Sequence, residues 1–308
     1  MLLRKRQFTK LTIALLGLSV LMLGMGLTAG CRKGPDRLVL GIVAPSSPAS
    51  PGGLPREQSE ELSQAIADAL ATGTRIEVFP FSTAAELIRA LGAGHADIAI
   101  CSAYTYVATH DASGAQVLFK TIVGDRDGTW SDIVALATGG PRSLEELKGK
   151  TIGFSDPASP WGYLFPAAYL AENAVLTPED LGRAVFLGNE QAALRAVLEG
   201  RVAATACSEE ALALLTHSVP DADARLAVIA STPPVPGTTV VVRAGLDSNL
   251  VDKIKLAIAT AVSGGDGRKA WRAITGTDGV VEATDSDYEV IRKMAATLGL
   301  DVAVLAEQ

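Results

Sequence analysis

The sequence predicts an α/β protein: mostly parallel sheets flanked by helices, arranged in two lobes. Three observations carry that reading. Short β-type runs alternate with helical patterns along the chain, the alternation falls into two separate series, and 308 residues at 48% apolar suffice for two cores. A helix between two strands returns the chain in the same direction, so regular alternation favours parallel pairing with helices on both faces.

In the first series, 38–43 is a continuous apolar run of strand type. A Pro/Ser/Gly-rich stretch follows over 45–55, and residues 57–71 then set Leu62, Ile66 and Leu70 on one helical face at i, i+4 and i+8. A strand at 75–79 leads to Thr83 and Glu86, the capping box of a helix reaching residue 91, and then to a strand at 96–101. The second series opens with a strand at 131–137 and a second capping box, Ser143 with Glu146. It continues with a strand at 150–154, a helix from about 161, and Thr177-Pro178 as the N-cap and first position of another helix. A strand at 184–187, a helix at 190–199, a strand at 202–207, a helix at 209–216 and a strand at 225–230 complete it. The C-terminal part carries a strand at 238–243 and helices near 247–262, 267–275 and 285–298.

Residues 1–30 stand apart. They hold Arg4, Lys5, Arg6 and Lys10 and no acid, then seventeen uncharged residues from Leu11 to Leu27, then Thr28-Ala29-Gly30-Cys31. A basic start, an apolar run and small residues make an export signal. The apolar run is at the lower limit for a membrane span, which leaves an uncleaved anchor as the alternative. The small-small-Cys ending resembles a bacterial lipoprotein signal, which implies cleavage before Cys31, a lipid on its thiol and a tether over 31–37. Without that leader the chain has 23 basic against 34 acidic residues, so the formal charge moves from −7 to −11. An acidic body with no basic stripe excludes nucleic acid as a partner class.

Local signatures of catalysis are absent. His95, His110 and His217 are too far apart to share a helical face, and no HExxH, Walker loop, GxSxG elbow or CxxC pair occurs. The run 264–269 reads as a connector and Asp125-Arg126-Asp127-Gly128 as a turn, too short for a calcium loop. Glu190 or Glu209 as a general acid/base would need a raised carboxyl pKa and a second partner in the same cleft, and the sequence offers no recognisable pair. The reading is a non-enzyme without cofactor or metal. Cys101 and Cys207, ending apolar runs about a hundred residues apart, read as two buried free thiols.

In open α/β sheets a ligand sits beyond the carboxyl ends of the strands, where helix N-termini point their free N–H groups. The loops there hold Ser46 and Ser47; Ser102, Tyr104 and Tyr106; Ser155, Ser159, Trp161, Gly162 and Tyr163; Asn189 and Glu190; and Ser208. Each Ser or Asn also suits a helix cap, and each tyrosine a core anchor, so their convergence on one sheet edge is what favours a site.

Four stretches carry a family likeness: AELIRALGAGHADIA at 85–99; LEELKGKTIGFSDPAS at 144–159 running into GYLFP at 162–166; 192–200 with its following strand; and STPPVPG at 231–237 leading to VVVRAGL at 240–246. They resemble the periplasmic phosphate/phosphite/phosphonate-binding proteins of ABC importers. The resemblance implies the type 2 periplasmic-binding fold, with the ligand cleft between two hinged lobes. Lobe 1 would be discontinuous, 38–125 plus 238–308, and lobe 2 would span 126–237, with crossovers near 122–133 and 231–240. It also implies a small-molecule ligand, an ABC permease as partner and a monomer. A ligand-sensing receptor of the same fold is the alternative. Tyr106 matches the family pattern, whereas the family's Ser-Thr-Ser-Gly-Tyr stands here as Ser159-Pro160-Trp161-Gly162-Tyr163, with Pro160 lacking an N–H. The family's Asp-Tyr is Thr83-Ala84, its His is Glu190 and its Asp is Ser208. Each lost charged hydrogen bond costs about 1.5–3 kcal/mol, so these departures imply weak dianion binding and open the ligand to a sulfonate or an aromatic amine.

Overall fold

The computed structural model describes residues 35–43, 54–173, 175 and 184–307. The described residues from Arg37 onward form one compact unit. Cys31, Ser46, Ser47 and Thr177-Pro178, all singled out above, lie outside the described residues.

Two mixed sheets organise the unit. The larger contains β1 (Arg37–Val43), β2 (Arg75–Phe81), β3 (Ile98–Ser102), β4 (Gln116–Ile122), β10 (Thr238–Val242) and β11 (Gly279–Glu282), in the order β11-β4-β10-β3-β1-β2. The smaller contains β5 (Ser131–Leu136), β6 (Ile152–Phe154), β7 (Val185–Phe186), β8 (Ala204–Ser208) and β9 (Leu226–Ser231), in the order β7-β6-β8-β5-β9. The chain therefore leaves the larger sheet after Ile122 and re-enters it at Thr238, with the whole smaller sheet between.

The expected α/β layering with two sheets is present, but the pairing is less parallel than the alternation predicts. Only β1 with β2 and β3, and β6 with β7 and β8, run parallel; the pairings made by β4, β5, β9, β10 and β11 are antiparallel. The reason is connectivity. A helical crossover forces parallel order only on the strands it joins, whereas β5 and β10 arrive from the other sheet and enter head to tail beside β8 and β3.

The amphipathic helices form where their apolar spacing places them. α1 (Arg56–Leu70) buries Leu62, Ile66 and Leu70 on one face of the larger sheet, beside α8 (Ser248–Ser263) and α9 (Gly265–Thr275), around Trp271 at 1% exposure. α2 (Ala84–Ala93), α3 (Ala103–Ser113) and α10 (Glu289–Leu298) cover the other face. On the smaller sheet, α4 (Phe165–Glu172) packs one side, and α5 (Glu190–Leu198) and α6 (Glu209–Ser218) the other, with the single turn α7 (Ala222–Arg225) leading into β9. α3 escapes a periodicity reading because it is buried nearly all round, from Ala103 through Thr109, so no polar stripe marks it.

Two sequence readings shift locally. Ser143 and Glu146 open only a 3₁₀ turn, Glu145–Leu147, and the Glu146 carboxylate accepts the Arg142 N–H at 3.0 Å. The helix expected from 161 starts as a π turn, Pro160–Leu164, before α4. Cys101 and Cys207 are free and buried; burial pushes the Cys101 thiol up to about 12 and raises Cys207 as well.

Candidate functional site

The site follows from where the two sheets exchange chain. Ser102, the last residue of β3, pairs with Thr238, the first of β10; Ser208, the last of β8, pairs with Ser131, the first of β5. Each serine is also an N-cap, its Oγ accepting a backbone N–H from Thr105 or Ala211 at 3.2 Å. The two connecting segments are bound to each other, Thr129 and Val235 exchanging N–H···O bonds of 2.9 and 2.8 Å. Helix starts and crossovers thus meet at one place.

Two adjoining cavities open there. One of ≈ 710 Å³ is lined by residues that include Arg126, Trp130, Trp161, Ser208, Glu209 and Glu210; one of ≈ 440 Å³ by residues that include Ser102, Tyr104, Trp161 and Phe165. Trp161, Gly237 and Thr238 border both. Trp161 stacks on Phe165 with centroids 5.3 Å apart, and Phe165 stacks on Tyr104 at 6.0 Å, an aromatic ladder along the cavity wall. The Tyr104 hydroxyl is buried without a hydrogen-bond partner among the described residues, and burial raises its pKa.

Charge enters from the crossover and from α6. Arg126 pairs with Glu209 and stands 5.7 Å from the centre of the Trp130 ring, within cation–π range. Glu210, exposed at the same cavity, has no ion-pair partner among the described residues.

Of the residues singled out from sequence, Ser102, Tyr104, Trp161 and Ser208 line these cavities. Asn189 caps α5, accepting the Ala192 N–H at 2.8 Å. Glu190 lies behind Ser208, accepting its N–H at 3.1 Å and its hydroxyl at 2.8 Å. Ser159 caps the π turn by accepting the Gly162 N–H at 3.0 Å. Ser155 is buried with no partner for its hydroxyl among the described residues and packs against Gly162, where an added Cβ would fall 1.9 Å from Ser155 Oγ. Tyr163 packs between Phe154 and Phe186. Tyr106 is 1% exposed, lies edge-on to Tyr288 and donates its hydroxyl to Asp285 at 2.8 Å.

Sequence reasoning passed over Arg126, Trp130, Glu210 and Phe165. The first two sit in a segment read only as a turn and a crossover. Their signal was available: segments that carry the chain from one sheet to the other run beside the strand ends they leave, so a Trp and an Arg there border the same space as the helix starts.

A family model for the periplasmic phosphonate substrate-binding protein of ABC transporters matches residues 52–288. The chain belongs to that family. A phosphonates-binding periplasmic protein of Escherichia coli is 29% identical over 187 residues, 59% of this chain and 55% of its own length. The phosphate-import protein PhnD of Mycolicibacterium smegmatis is 23% identical over 254 residues, 74% of this chain and 77% of its own. Among solved structures, XAC2383 from Xanthomonas citri, bound to chloride, superposes with a TM-score of 0.58 at 20% identity, covering 86% of this chain and 98% of that one. The chain thus spans little more than half of the E. coli relative. The family is one of transport receptors, not of enzymes.

Proposed function

We propose that this protein is the extracytoplasmic solute-binding component of an ABC importer, catching a small molecule in the cleft and presenting it to the permease. The observation that supports this best is the pair of adjoining cavities, bordered by helix starts from both sheets and by both crossover segments. In this reading 38–125 with 238–308 and 126–237 act as two lobes, hinged at 122–133 and 231–240. Ser102, Tyr104, Trp161 and Ser208 contact the ligand, and Ser155, Ser159, Gly162, Tyr163, Asn189 and Glu190 shape the turns behind them. Tyr106 anchors α3. Closure is a population shift, since contacts from both lobes are satisfied only when the cleft shuts, and the permease reads the shut form. Export by the leader and a lipid on Cys31 hold the receptor as a monomer at the membrane face.

The test is a thermal-shift screen of residues 32–308 against phosphonates, phosphite, sulfonates, amino acids and amines. At least one compound raises the melting temperature in a concentration-dependent way; a flat response to every class contradicts the receptor reading. For the anchor, Cys31→Ser moves the protein from the membrane to the soluble fraction, and continued membrane retention contradicts lipidation.

A further inference from the structure

We infer that the cleft selects an organic cation, an amine or quaternary ammonium on a planar or apolar body, in place of the oxyanion for which its relatives are named. The inference rests on the receptor reading above and specifies its ligand.

The first observation is that the capping serines at the helix starts are held within their own turns, although the Tyr104 hydroxyl is left without a partner among the described residues. An oxyanion binds at such a place by taking backbone N–H and hydroxyl hydrogens. At the start of α6 both hydrogens of Ser208 go to the two carboxylate oxygens of Glu190, at 3.1 and 2.8 Å, while Ser208 Oγ accepts from Ala211. Glu190 is thus a carboxylate fixed behind that helix start. At the π turn Pro160 has no N–H and the Gly162 N–H is held by Ser159 Oγ. At the start of α3, Ser102 Oγ receives the Thr105 N–H and lies 2.9 Å from Thr105 Oγ1.

The second observation is the charge that faces the larger cavity. Glu209, Glu210 and Arg126 line it; Arg126 is spent on Glu209, and Glu210 is left over, so the wall carries one net negative charge. A dianion entering there meets repulsion and finds no free cation among the described residues, whereas an ammonium meets a carboxylate unpaired among them.

The third observation is independent of charge. Two indoles, Trp130 and Trp161, line the same cavity, and Trp130 already lies under a guanidinium at 5.7 Å. Ring faces beside an unpaired carboxylate are the chemistry that recognises alkylated ammonium groups. The exported chain, at a formal −11, also attracts cations and repels anions at long range.

The experiment titrates the full chain in detergent with tetramethylammonium, choline and benzyltrimethylammonium chlorides, and separately with methylphosphonate and inorganic phosphate, by calorimetry. At least one cation binds, Glu210→Gln and Trp161→Ala each weaken it about tenfold, and raising the salt weakens it further. Glu210→Gln keeps the unliganded melting temperature, so its loss of affinity is a site effect. Methylphosphonate or phosphate binding with no cation binding overturns the inference and leaves the receptor reading standing. A cation that binds equally to wild type and both variants also overturns it, because the site would then lie elsewhere. If neither set binds, the inference falls, and if the broad screen is flat too, the receptor reading falls with it.

Discussion

Residues 83–102 and 189–208 follow the same course in the two sheets, and the details repeat at a constant offset. Thr83 and Asn189 each cap a helix through a side-chain oxygen, on Glu86 and Ala192. Gly94 and Gly200 each end their helix region in the left-handed conformation, at φ 73 and 71°. Cys101-Ser102 and Cys207-Ser208 each close a strand, and each serine caps the next helix at 3.2 Å. The difference lies in the side chains that follow the caps. Ala84 in the larger-sheet copy corresponds to Glu190, whose carboxylate folds onto Ser208; α3 opens with Ala103-Tyr104, whereas α6 opens with Glu209-Glu210. One backbone turn therefore offers an aromatic ring on one side of the cleft and carboxylates on the other. The fold supplies the geometry, and a few residues after each cap set the charge.

The largest effect expected from breaking the smaller-sheet side is at Gly162. Gly162→Ala puts a methyl 1.9 Å from Ser155 Oγ and 2.7 Å from Ser155 Cβ. A loss of about 2–4 kcal/mol in a urea melt follows, with partial recovery in the double variant with Ser155→Gly. Full stability of the single variant contradicts the packing described.

Glu190→Ala comes next. It leaves the Ser208 N–H and hydroxyl without their acceptor at 3.1 and 2.8 Å. The expected cost is about 1–3 kcal/mol by chemical denaturation, because water at the cavity replaces only part of a charged hydrogen bond.

Smaller still is the contrast between the two caps. Ser102→Ala costs about 1 kcal/mol, the usual price of a lost N-cap. Ser208→Ala costs more, since it removes the cap and one hydrogen bond of Glu190 together. Equal costs mean that the Glu190 contact contributes nothing.

The smallest effect concerns acid stability on the larger-sheet side. Burial alone would raise the Asp285 carboxyl, but hydrogen bonds from Arg292 and Tyr106 outweigh it and hold the carboxyl below its ordinary 3.8. A carboxyl depressed on folding adds stability above its unfolded value and loses it as pH falls through the folded one. Asp285→Asn therefore flattens the loss of stability below about pH 4, read as urea midpoints at pH 5 and pH 3; unchanged steepness contradicts that role.

Much of the fold was legible because burial writes itself as periodicity. Leu62, Ile66 and Leu70 predict α1, and Thr83 with Glu86 marks the start of α2, although the Glu86 carboxylate reaches the Ser82 N–H instead of the cap's own. β4, β11 and the antiparallel entries went unseen. Their pairing is decided by partners more than a hundred residues away in sequence, as in Val240 with Phe119. Within the site, Trp161 and Ser208 were legible from their places after strands. The Glu190–Ser208 contact was not, because nothing in a one-dimensional spacing of eighteen residues says that a carboxylate turns back onto the next helix start.

The central claim is that Glu190 takes the two Ser208 hydrogens at the smaller-sheet helix start, and titrating methylphosphonate into wild type and Glu190→Ala tests its consequence directly. Wild type should give no binding heat, and Glu190→Ala should bind, because its Ser208 N–H and hydroxyl are released to the cavity. Methylphosphonate binding to wild type as tightly as to the variant would contradict the account.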